Sequence, residues 1–70
     1  MNKYKITYSL FPIENNKITS KNHFSNCRST IEGNTFDEAV EKFKEQKLKE
    51  GYAVGFLIEG DLVKIEIFDL

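Results

Sequence analysis

The stretch YAVGFLIEGDLVKIEIFDL, residues 52–70, decides the fold, because its two apolar runs flank a Gly60-Asp61 pair suited to a two-residue turn. Such a turn sets Ile58 against Val63, Phe56 against Ile65 and Val54 against Ile67, so three apolar pairs share one face. A three-residue loop would put Phe56 opposite Lys64, and the alternation rejects it. The other face of this hairpin then pairs Ala53 with Phe68, Gly55 with Glu66 and Leu57 with Lys64.

Immediately upstream, Thr35 and Glu38 have the spacing of a capping box, in which each side chain satisfies a backbone donor at a helix start. A helix from Phe36 to about Glu50 follows. Its apolar stripe is Phe36, Ala39, Val40 and Phe43; Asp37 and Glu38 sit at the positive end of its dipole and Lys47 and Lys49 at the negative end. Gly51 suits the left-handed position that ends a helix. Glu38 with Lys42 and Glu45 with Lys49 have the favourable i,i+4 order, worth roughly 0.2–0.5 kcal/mol each, and this charged surface reads as a solvated face.

At the start of the chain, Tyr4, Ile6, Tyr8 and Leu10 alternate with Lys3, Lys5, Thr7 and Ser9, the period-two signature of a half-buried strand over residues 3–10. Pro12 ends this strand or places its tail on an edge, and Asn15-Asn16, which tolerate positive φ, make a hairpin bend. A second strand is expected over 25–32. Cys27, Ser29 and Ile31 lie on one side and Phe24 has the opposite parity, so either a bulge near Ser25 and Asn26 switches faces or the strand begins only near Asn26. Residues 18–24 carry no clear pattern.

Two hairpins joined by one helix predict an α+β two-layer sandwich: a four-stranded, mostly antiparallel sheet with one helix on one face, in the order β-β-α-β-β, as a single domain over 1–70. The expected core is Ile6, Tyr8, Leu10, Ile31, Phe36, Val40, Phe43, Val54, Phe56, Ile58, Val63, Ile65 and Ile67.

Seventy residues lie near the size at which chains need a staple or a partner, so a homodimer is expected. One cysteine, Cys27, cannot form an internal disulfide, and without a leader-like or membrane-spanning apolar run the expected location is the cytoplasm, with no membrane contact. The net charge of -1 conceals a basic first half, with Lys3, Lys5, Lys17, Lys21 and Arg28 against Glu14 alone. Lysine dominates the cations and presents a point charge where arginine would present a planar fork.

Little chemistry is legible. His23 and Cys27 are too few to hold a metal, which takes three or four ligands, and nothing in the pattern supplies a catalytic cysteine with an orienting group or an oxyanion hole. A small buried Cys27 on the second strand is the simpler expectation. Gly51, Gly55 and Gly60 do not form a phosphate loop, and the acids are absorbed by capping, helix pairs and a turn. No enzyme activity, cofactor or metal is expected.

What remains is surface. One helix covers one side of the sheet, so the other side, with Leu57, Phe68, Lys64 and Phe24, is expected to bind a protein partner or a second copy. The alternative surface is the first hairpin, where Lys3, Lys5, Lys17, Lys21 and Arg28 accompany Tyr4, Phe11, His23 and Phe24 in the basic-aromatic mixture used for single-stranded nucleic acid. The alternation nevertheless turns Tyr4 and Tyr8 toward the helix, and the overall charge is not that of a dedicated nucleic-acid binder. The leading expectation is a non-enzymatic protein-protein interaction module, an inhibitor or adaptor of phage or mobile-element type acting on a larger host macromolecule, which is how small Lys-, Asn- and Ile-rich chains read on size and composition.

Overall fold

The computed structural model describes residues 1–60. The expected second strand of the terminal hairpin with its pairs, the expected core residues Val63, Ile65 and Ile67, and the expected surface residues Lys64 and Phe68 lie outside them. In chain order the described residues form strands β1 (Asn2–Glu14), β2 (Lys17–Ile18) and β3 (Phe24–Gly33), helix α1 (Phe36–Lys49) and strand β4 (Tyr52–Glu59). All three other strands pair antiparallel with β1, giving a four-stranded sheet with one helix. The α+β class therefore holds. The order read along the described chain is β-β-β-α-β, because a two-residue strand precedes the long second one.

β1 runs past Pro12, where the sequence suggested an end. The ladder tolerates the missing N–H because the Pro12 carbonyl accepts from Thr19 N at 3.0 Å and the next donor, Ile13 N, reaches the Gly51 carbonyl at 3.0 Å. The bend falls at Asn15 and Asn16, with φ of 51° and 62°, and brings Glu14 opposite Lys17. Left-handed backbone at both loop residues matches the twist of the strands it joins. Residues between β2 and β3 turn through Asn22 (φ 61°), held by Lys21 N donating to Thr19 Oγ1 at 3.1 Å and by a 2.7 Å contact between His23 Nδ1 and the Ser20 carbonyl.

The helix starts where expected, with Thr35 Oγ1 accepting from Glu38 N at 3.1 Å, but the other half of the expected capping box differs: the Glu38 carboxylate turns to Lys42 at 3.1 Å and to Asn34. The hydrogen bond from Lys42, with further help from the Lys42 charge and from Asn34, holds Glu38 below the ordinary glutamate pKa. Gly51 closes the helix at φ 95°, its N–H on the Leu48 carbonyl. α1 lies against both β3 and β4, across the middle of the sheet.

Beneath it, Ile6, Tyr8, Ile31 and Ala39 are buried, and Tyr4, Leu10, Cys27, Phe36, Val40, Phe43, Val54 and Leu57 pack around them. Tyr4 meets Phe36 edge-on at 5.4 Å and Tyr8 meets Phe43 at 4.8 Å, contacts worth about 0.5–1.5 kcal/mol each beyond area. The Tyr8 hydroxyl is satisfied by Ser29 Oγ at 2.7 Å. At Gly33 the helix comes so close that an added Cβ would stand 2.8 Å from Ala39 N.

Phe56 and Ile58 are not in this core. Between the pairs Thr7 with Ile58 and Ser9 with Gly55, β4 places two residues, Phe56 and Leu57, where β1 places only Tyr8, and Phe56 takes the extra place at φ 51°. A bulge of one residue reverses which side of the sheet every later side chain faces. Val54 and Leu57 thus point to the helix, while Phe56 is 80% exposed and Ile58 36%. The bulge anticipated near Ser25 and Asn26 also exists: Cys27 faces Tyr8 and Phe24 faces Leu10, with Asn26 at φ 56°.

Candidate interaction face

Odd-numbered residues of β1 form the side of the sheet that α1 leaves uncovered, and directly opposed residues of antiparallel strands share a side. Lys3 thus stands with Glu32, Lys5 with Thr30, Thr7 with Arg28 and Ile58, Ser9 with Gly55, and Phe11 with Ala53. One end of this face is basic and the other aromatic.

At the aromatic end the Phe11 ring lies stacked on His23, with centroids 5.3 Å apart and planes 16° apart, and Phe56 meets it edge-on at 5.9 Å. Gly55 makes this possible. A Cβ there would stand 2.7 Å from Phe11 Cε2, so only glycine lets the ring lie across β4. The bulge then carries Phe56 up beside it. Among the described residues five non-glycines have left-handed backbone: Asn15, Asn16, Asn22, Asn26 and Phe56. Asparagine tolerates that region through local hydrogen bonding, whereas for phenylalanine it is strained. An aromatic ring is held in an unfavourable backbone conformation and left in water.

At the basic end, Lys5, Thr7, Arg28, Ser29, Thr30 and Gly60 line an open recess of about 640 Å³. Thr7 is buried there, and its hydroxyl donates to the Gly60 carbonyl at 2.6 Å, while Gly60 N donates to the Lys5 carbonyl at 2.9 Å. Lys3 leans toward Glu32 at 3.8 Å with both side chains mostly exposed, a contact of little energetic weight.

The residues singled out from the sequence divide accordingly. Leu57 and Phe24 do not face the way expected: Leu57 packs on the core, and Phe24, opposite Leu10 and edge-on to Tyr52 at 6.1 Å, lies on the helix side at the end of the sheet. The bulges at Phe56 and Asn26 are the cause in each case. Lys3, Lys5 and Arg28 share the open face, while Lys17 lies in β2 and Lys21 in the following turn. Simple alternation puts Phe56 in the core, and the sequence signal against it is Gly55, since a glycine inside a strand pattern marks a bulge or a close approach. His23 and Cys27 are separated by the sheet, His23 stacked on Phe11 and Cys27 opposite Tyr8 on the helix side. Among the described residues no three His, Cys, Asp or Glu side chains converge as a metal site, and no helix is long and apolar enough to cross a membrane.

The chain matches no protein-family model, no curated protein and no solved structure. Its function is read from its own residues.

Proposed function

We propose that this chain is a non-enzymatic interaction module that binds a larger protein, as inhibitor or adaptor, through the face of its sheet opposite α1. The observation that carries this reading is Phe56, strained at φ 51° and 80% exposed next to Phe11 and His23. Strained backbone and exposed aromatic surface are both unfavourable for the isolated chain, and aromatic anchors of this sort supply most of the energy where proteins meet. The neighbouring Lys5 and Arg28 suit a partner that offers an apolar pocket with an acidic rim.

A second reading has its own support. Stacked and edge-on rings beside cations are what single-stranded nucleic acid uses, bases on the rings and phosphates on the cations. One pair of measurements separates the two. A fluorescein-labelled oligo(dT) of twenty nucleotides is titrated at low salt, and tagged wild type and Phe56→Asp are used to pull down protein from an extract of the native host. The protein reading expects no oligo(dT) binding, together with a stoichiometric partner that Phe56→Asp loses while keeping its circular dichroism. Binding to oligo(dT) that weakens steeply with salt and falls on replacing Phe56 or Lys5 would transfer the face to nucleic acid.

A further inference from the structure

We propose that a second copy of this chain extends the sheet at the outer edge of β3, in an antiparallel two-fold contact centred on Thr30. The contact uses the strand edge, although its side-chain pairs lie on the open face, where Arg28 and Thr30 also border the recess. β3 uses one edge to pair with β1, and among the described residues no strand pairs with its other edge. Such an edge is a template for further pairing, and neither Lys nor Pro, the residues that commonly blunt one, occurs between Phe24 and Gly33. The bulge at Asn26 restricts the regular stretch to Cys27 through Gly33.

The charges choose the occupant and the register. In an antiparallel contact between identical strands, one residue faces its own copy and the others pair symmetrically about it. Centred on Arg28, the contact would set two guanidinium groups against each other. Centred on Ser29, it would set Arg28 opposite Thr30 and Glu32 opposite the bulged Asn26. Centred on Thr30, it places Arg28 opposite the partner's Glu32 and Glu32 opposite the partner's Arg28, on one side of the sheet, with Thr30 facing Thr30 between them. Arg28, Thr30 and Glu32 are all exposed on that side. Opposite charges at equal distances on either side of one residue match a copy of the same strand and have no such fit with an arbitrary strand.

Sedimentation equilibrium of the full chain at low salt tests it, with circular dichroism checking the fold of each variant. Wild type is expected to show a monomer-dimer equilibrium. Arg28→Glu and Glu32→Arg should each raise the dissociation constant about tenfold or more, since like charges then face each other twice, and the double swap should return it to within about threefold of wild type. If a swap unfolds the chain, Arg28→Gln and Glu32→Gln replace it and should weaken association severalfold. A wild type that stays monomeric at millimolar concentration overturns the proposal, as does a dimer indifferent to the single changes or one that the double swap fails to restore.

Discussion

Replacing Phe56 and Leu57 in turn by asparagine tests the bulge that organises the uncovered face. With 80% of Phe56 exposed, about 40 Å² of a side chain of about 200 Å² is covered, worth about 1 kcal/mol. Asparagine relieves left-handed strain of about 1–2 kcal/mol. The two effects nearly cancel, so Phe56→Asn should change stability by no more than about 1 kcal/mol, less than about 8 °C in Tm for a chain of this length. Leu57 packs on the cluster of Ile6, Tyr8, Ile31 and Ala39. There, asparagine loses the transfer energy, leaves a void and buries an amide, a cost of about 2–4 kcal/mol or more than about 10 °C. Thermal melts and urea titrations followed by circular dichroism give both numbers. Should Phe56→Asn prove the more damaging of the two, the strand alternates without interruption and the account of the face fails.

Two further outcomes follow from the geometry. Gly33→Ala should cost about 1–3 kcal/mol, because its Cβ would press on Ala39 backbone atoms at 2.8 and 3.0 Å, and an unchanged urea midpoint would show that the helix does not sit so close. Glu38, held below the ordinary glutamate pKa chiefly by Lys42, favours the folded state above its unfolded pKa and loses that contribution as pH falls through its folded one. The stability gap between wild type and Glu38→Gln should therefore shrink as the solution is acidified below the ordinary glutamate range, and a gap constant with pH would contradict the pairing.

Local signals were readable wherever the physics is local. Thr35 begins a helix because the donor it satisfies, Glu38 N, lies within one turn, and Gly51 ends it because the left-handed position needs no partner. Asn15 and Asn16 make the bend for the same reason. Asn22 and Asn26 also occupy left-handed positions. The mismatch between Phe24 and Cys27 even exposed one bulge, since two apolar parities met within a single strand.

The amino-acid order by itself determined the helix with its buried stripe, the alternating first strand, the asparagine hairpin and the α+β class, all of which rest on interactions within a few residues. Only the tertiary structure decided which way Phe56 and Leu57 point. In the run Val54 to Ile58 the residues Val54, Phe56 and Ile58 alternate as in an unbroken strand, and the role of Gly55 depends on Phe11, more than forty positions earlier, lying across it. A ring that needs the space of a missing Cβ on a neighbouring strand is a contact between distant parts of the chain, and that contact turned an expected core residue into the centre of the exposed face.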